Sequence, residues 1–213
     1  MKGFSLKSFW RENRGFIVFF SLMLVMRSSF ADWYHVPTGS MQPNIVEGDR
    51  VFVNKMAYRL DVPFTDIEIA KIGQPQRGEV VVFESDAANE RLIKRVIGVP
   101  GDIVAMENNR LIVNGNVAEY EMSGNNIYRE RLGNLQRQIQ VLPVNSARDS
   151  FEPVRVPEGH ILVLGDNRNN SVDSRYYGFV PISELKGKAT KVIASLNPDN
   201  YYIPRGDRFL QPL

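Results

Sequence analysis

The chain contains no cysteine. Disulfides, thiolate nucleophiles and cysteine-ligated zinc are therefore excluded. Histidine is almost as scarce. His35 and His160 are the only two, and they do not stand in a metal-ligand spacing. No carboxylate cluster demands a metal and no glycine-rich phosphate loop is present, so no cofactor is expected. Net charge is nearly absent, +2 from 26 basic and 24 acidic residues. That balance argues against a nucleic-acid partner, because such binders carry a strong basic excess or patch. The most hydrophobic segment, residues 15–26, runs for only twelve residues, short of the about 20 that a membrane-spanning helix needs. What is present is 43% apolar and 23% charged residues in a chain of 213. This is the composition of a folded globular protein with a real core.

The apolar run reads GFIVFFSLMLVM and follows Lys2, Lys7, Arg11 and Arg14. Its length matches the core of a cleavable signal peptide. SSFAD at 28–32 adds Ser29 and Ala31, small residues spaced as at a cleavage site. The aromatics argue the other way. Trp10 and Trp33 are 23 residues apart, roughly 35 Å as helix, and with Tyr34 they would mark two membrane interfaces. Arg27 would snorkel to the nearer one. A retained transmembrane anchor over 15–32 is expected, with a cytoplasmic flank over 1–14 and an extracytoplasmic domain over 33–213.

Beyond residue 33 the pattern is one of short strands behind turn signals. RVFVNKMAY at 50–58, GEVVVFES at 78–85, ERLIKRVIGVPGD at 90–102, GHILVLGDN at 159–167 and KATKVIASL at 188–196 are β-branched and aromatic runs. NRLIVNGNVAEY at 109–120 predicts a hairpin turning at Asn114-Gly115. A short helix is expected over 181–187. Residues 121–157 are polar, Arg-rich and without a clear period, and are read as part of an insertion at about 104–157. Together these predict a mostly β protein, a barrel or sandwich with a smaller inserted β subdomain and one N-terminal transmembrane helix.

Three stretches could carry chemistry. In PTGSM at 37–41, Ser40 follows a glycine between two prolines. On local sequence it reads as a turn serine, and a hydroxyl is a poor nucleophile until a base takes its proton. His35 lies five residues away, but no G-x-S-x-G elbow surrounds Ser40. In RLIKRVIGV, strand alternation puts Leu92, Lys94 and Val96 on one face and Ile93, Arg95 and Ile97 on the other. One of the two cations must lie close to apolar neighbours. A buried lysine loses its charge more easily and can act as a general base. In GDNRNNSVDSRYYGFVP at 165–181, seven of the first eleven residues are Asp, Asn or Arg. This polar loop follows a fully apolar strand and could fix Ser171, Asp173 and Arg175 in a hydrogen-bonded arrangement.

PTGSMQP, GDRVFVNK, KRVIGVPGD and GDNRNNSVDSRYYGFVP resemble, in this order, the boxes of the bacterial type I signal peptidases, whose membrane anchor also precedes the first box. The resemblance covers roughly residues 15–105 and 158–185. It implies a Ser/Lys-dyad serine endopeptidase of all-β fold that cuts signal peptides from preproteins at the outer face of the cytoplasmic membrane. By motif, Ser40 resembles the nucleophile and Lys94 the general base. Ser171 resembles the serine that orients the lysine, and Asp173 with Arg175 the supporting pair. Thr38 falls where many members carry a serine completing the oxyanion hole with the N–H of Ser40. Met41, Ile45 and Ile93 are expected as pocket walls for small residues of an extended substrate bound by β-augmentation. The partners implied are secretory preproteins and the phospholipid membrane, and the protein is expected to act as a monomer. The alternatives are a Ser/Lys self-cleaving regulator, a non-catalytic peptide-binding β module, and a Ser-His-Asp hydrolase using His160 or His35.

Overall fold

A computed structural model describes residues 6–65, 67–144 and 146–213. The expected 1–14 flank therefore lies outside the described residues in its first five positions, Lys2 included. The chain opens with helix α1 (Leu6–Val25) and one π-helical turn (Met26–Phe30), then enters β1 (Ala31–His35) and β2 (Asp49–Asn54). A small hairpin follows, β3 (Arg59–Asp61) and β4 (Glu68–Lys71), then β5 (Val80–Ser85) and β6 (Glu90–Gly98). Next come β7 (Ile103–Glu107), β8 (Arg110–Val113), β9 (Asn116–Val117), β10 (Glu119–Gly124), β11 (Ile127–Leu132), β12 (Leu135–Gln140) and β13 (Phe151–Arg155). The chain ends with β14 (His160–Leu164), the one-turn helix α2 (Ser174–Tyr177), β15 (Val180–Pro181), β16 (Leu185–Asn197) and β17 (Ile203–Pro204).

The main sheet runs β1-β2-β16-β5-β6-β14-β15, with β17 on β16. β5 is its central strand. The run VVVF is apolar on both faces because both are covered. Val80 and Val82 enter one core cluster with Met41, Ile45, Val51, Val53 and Val192, while Val81 and Phe83 enter another with Val96, Ile161, Val163 and Leu185. A third cluster joins Ile97 and Leu162 to β7 and β8 through Val104 and Leu111. β6 pairs with β14 only over Arg95–Gly98, whereas it pairs with β5 over its whole length to Arg95. Glu90–Lys94 thus present an edge with no strand partner on that side among the described residues.

Three expectations are corrected, and the inserted segment takes a definite form. The sheet does not close into a barrel: β1 and β15 are its ends, and β15 is only two residues long. The 181–187 segment is a single 3-10 turn, Ile182–Glu184, that runs into β16. Residues 121–157 contain regular strands. Glu119 faces Arg131 and Glu121 faces Arg129 across β10 and β11, so the pairs are held by cross-strand charge and leave no apolar period to read. Finally, no helix among the described residues is long and apolar enough to cross a membrane. α1 carries Lys7, Arg11, Glu12 and Arg14 in its first half. The twelve apolar residues that follow reach roughly 18 Å at 1.5 Å each, against a hydrocarbon core of about 30 Å.

The chain cannot extend that helix, because Ala31–His35 already pair with Asn54–Arg50. Trp33 thus sits on a strand, not at a helix end. Arg27 pairs with Asp32 at 2.6 Å and lies 4.1 Å from the Trp33 ring centroid, instead of snorkelling. Ser29 is buried and Ala31 is built into the sheet.

Candidate active site

Lys94 Nζ donates to Ser40 Oγ at 2.8 Å. Both residues are buried, Lys94 to 3% exposure. Alternation along β6 places Leu92 and Val96 on the same side as Lys94, and Val81 stands opposite it on β5. Four methylenes and an amine are thus packed among hydrocarbon. Burial pushes the Lys94 ammonium down from its usual 10.5 to about 8, although Asp173, Glu90 and Asp166 pull the other way. Arg95, on the opposite face, is buried too, held by both oxygens of Asp166 at 2.8 and 2.7 Å. The sequence required one of these cations to be buried; two covered faces bury both. An amine that loses its proton near neutral pH, in contact with a serine hydroxyl, can act as a general base toward it.

The segment after β14 closes the site. Asp173 caps α2 and accepts a bidentate pair from Arg175 Nε and Nη2, both at 2.8 Å, and a bond from the Gly165 N–H at 2.9 Å. The expected pairing of Asp173 with Arg175 is thus made across a helix cap and not along an extended segment. Arg175 Nη2 also reaches the Arg168 carbonyl at 2.6 Å, so one guanidinium ties the loop to itself. A Cβ on Gly165 would lie 2.2 Å from Ser171 Oγ and 2.6 Å from the Ser40 carbonyl oxygen. Glycine is required there because the two segments approach over its Cα. Ser171 Oγ is buried without a hydrogen-bond partner, so the expected bond between Ser171 and Lys94 is not made in this structure.

Thr38 is exposed, two residues before Ser40. Met41 and Ile45 are at 0% exposure inside a core cluster, and only Ile93 lies partly open at its edge. Two of the three expected pocket walls are therefore core, because the turn after Ser40 folds its apolar residues under the main sheet. His160 faces the Glu158 carbonyl at 3.0 Å. No hydrogen bond joins either histidine to Ser40 among the described residues.

The family model for signal peptidases, peptidase S26, matches residues 10–194. The chain belongs to that family. The signal peptidase I of Pseudomonas aeruginosa is 36% identical over 84% of this chain and 70% of its own length. That of Bacillus amyloliquefaciens is 34% identical over 79% and 76%, and that of Buchnera aphidicola subsp. Schizaphis graminum 30% over 95% and 80%. A solved signal peptidase I from Enterococcus faecalis V583 aligns with 56% of this chain at 31% identity, with a TM-score of 0.38, a likeness too distant to bear on the fold.

In this S26 peptidase, sequence reasoning missed what fixes the polar loop from outside. Arg168 pairs with Glu130 of β11 at 2.6 Å, and Arg137 of β12 pairs with the same carboxylate. Burial opposes the charge on Glu130, but the two guanidinium groups outweigh it and hold its carboxyl at about 2. Asn169 Nδ2 reaches the Leu142 carbonyl at 2.8 Å, and Arg148 stacks 5.0 Å from the Tyr176 ring centroid. The strands over 119–140 and the turn after them thus grip the loop at several points. The density of Asp, Asn and Arg after an apolar strand was the available signal. Partners 27 or more residues away were not.

Proposed function

We propose that this chain is a serine endopeptidase that removes N-terminal signal peptides from exported preproteins, with Ser40 as nucleophile and Lys94 as general base. The observation that carries the reading is the 2.8 Å contact between Lys94 Nζ and Ser40 Oγ among apolar neighbours. Neutral Lys94 takes the Ser40 proton as Oγ attacks the scissile carbonyl carbon. The oxygen becomes an oxyanion, stabilised by the N–H of Ser40 and the hydroxyl of Thr38. The Lys94 ammonium then gives its proton to the leaving amine, and the acyl-enzyme forms. A water, deprotonated by the regenerated neutral lysine, attacks the ester carbonyl. Collapse returns the proton to Ser40 Oγ and releases the signal peptide as its carboxylate. Ser171 keeps an unbonded hydroxyl beside this centre with which to orient the amine during turnover. Asp173 and Arg175 hold the loop that carries it.

The substrate is an extended peptide laid along the free edge at Glu90–Lys94, with Ile93 as one wall selecting small residues before the cut. The enzyme works at the outer face of a bacterial cytoplasmic membrane, held there by the exposed Phe16, Phe19 and Leu22 of α1. Cleavage of a purified preprotein by wild type, Ser40→Ala and Lys94→Ala tests the chemistry. Wild type should cut and both variants should be inactive. Cleavage by Ser40→Ala overturns the assignment, and a wild type that binds signal peptides without cutting them points to the peptide-binding module. Extraction with alkaline carbonate tests the membrane attachment, and release into the supernatant counts against it.

A further inference from the structure

We infer that Asn167 is a positioning residue for the oxyanion site, acting on the direction of the Ser40 N–H. The inference rests on the Ser/Lys reading above and extends it. Asn167 is 1% exposed, two residues beyond the close approach at Gly165. It holds both carbonyls that flank the nucleophile. Its side-chain Nδ2 donates to the Gly39 carbonyl at 3.1 Å, and its backbone N–H donates to the Ser40 carbonyl at 3.0 Å. The peptide unit between Gly39 and Ser40 is planar and trans, so its C=O and N–H point in opposite directions within one plane. A hydrogen bond that fixes the Gly39 oxygen therefore fixes where the Ser40 N–H aims.

Among the described residues, nothing else outside the turn holds that plane. The other bond to the Gly39 oxygen comes from the Gln42 N–H at 3.1 Å, within the same turn, and it would rotate with it. The Ser40 N–H itself donates to no protein acceptor among the described residues, which leaves it free for a substrate oxygen. The amide orientation of Asn167 is dictated by chemistry. A carbonyl only accepts, so Nδ2 and not Oδ1 must face Gly39. Oδ1 is left buried without a partner. An unsatisfied buried oxygen is a cost to stability, and it is retained where the amide's other end holds the nucleophile turn.

Asn167 is itself anchored from the far side. The Gln140 N–H at the end of β12 donates to the Asp166 carbonyl at 2.8 Å, and Gln140 bridges Asn167 in parallel register. The strand pair that grips the polar loop is thereby linked, through one amide, to the peptide unit that would meet the oxyanion.

Kinetics of Asn167→Ala, which keeps the backbone bond to Ser40, test the assignment. Removing an oxyanion donor outright costs roughly 10²–10³ in turnover. A donor left in place but free to turn should cost about 10–100-fold in kcat, with KM little changed. The acid limb of the pH profile, set by Lys94, should not move. Because Asn167 and Thr38 act on one oxygen, Asn167→Ala combined with Thr38→Val should lose less than the product of the two single losses. If Asn167→Ala does not fold, Asn167→Asp has the same shape and sets a carboxylate against the Gly39 carbonyl, and its kcat per folded molecule is read instead. A folded variant with wild-type kcat, or one whose loss lies wholly in KM or in a moved acid limb, overturns the inference. Retained cleavage by Ser40→Ala in the same assay would instead sink the Ser/Lys reading, so the two failures are distinguishable.

Discussion

Lys94→Met should inactivate the enzyme and also stabilise it. In the unfolded chain Lys94 takes up a proton below 10.5, and in the folded protein only below about 8. Between these values the unfolded state binds more protons, so stability rises with pH across that window, and below it the folded state carries the full penalty. The gap from 10.5 to about 8, at 1.36 kcal/mol per pH unit, is worth about 3 kcal/mol at pH 7. Methionine fills nearly the same volume without charge. It removes the penalty and gives up the bond to Ser40, worth about 1 kcal/mol. The variant should therefore be about 2 kcal/mol more stable than wild type in urea melts at pH 7, and the advantage should disappear above pH 10.5. In the wild type, kcat/KM should rise tenfold per pH unit and level off near pH 8, since that limb reports the free-enzyme base. A limb at 10.5, or a Lys94→Met protein less stable than wild type at pH 7, would refute the claim that burial discharges this lysine.

Gly165→Ala should abolish cleavage while the sheet persists by circular dichroism, because the new Cβ would lie 2.2 Å from Ser171 Oγ and 2.6 Å from the Ser40 carbonyl; normal turnover would mean that this approach is not needed. Thr38→Val keeps the shape and removes the hydroxyl, so turnover should fall roughly 10²–10³-fold with KM little changed, and Thr38→Ser should restore it. Unchanged turnover in Thr38→Val would leave Thr38 as a turn residue only. Glu130 titrates at about 2 against an ordinary 4.5, so its stabilisation is present above pH 4.5 and is lost as pH falls toward 2. Glu130→Gln should cost about 3–5 kcal/mol at neutral pH by leaving two buried guanidinium groups without their carboxylate. Acid titration of the variant should lack the wild-type loss in that window, and an unchanged acid limb would show that the network is not charged.

Strands β2, β5, β6, β14 and β16 of the main sheet were legible because each is a β-branched run that buries one or both faces, and that pattern survives any tertiary arrangement. Ser40, Lys94, Ser171, Asp173 and Arg175 were singled out through the four motifs, and alternation alone required one of Lys94 and Arg95 to lie among apolar neighbours. Strands β10 and β11 were not legible, because charge pairing across exposed strands has no hydrophobic period. The fate of Met41 and Ile45 was hidden for the opposite reason: an apolar side chain looks the same whether it lines a pocket or fills the core. The N-terminal segment was read from an aromatic spacing that assumed one continuous helix, whereas pairing of β1 with β2 ends that helix. The sequence by itself determined which groups could react and which strands could carry them. Only the tertiary structure decided that Lys94 meets Ser40 from 54 residues away, and that one asparagine holds both carbonyls beside it. Hydrogen bonds of that kind depend on distances of a few tenths of an ångström between segments that share no local pattern.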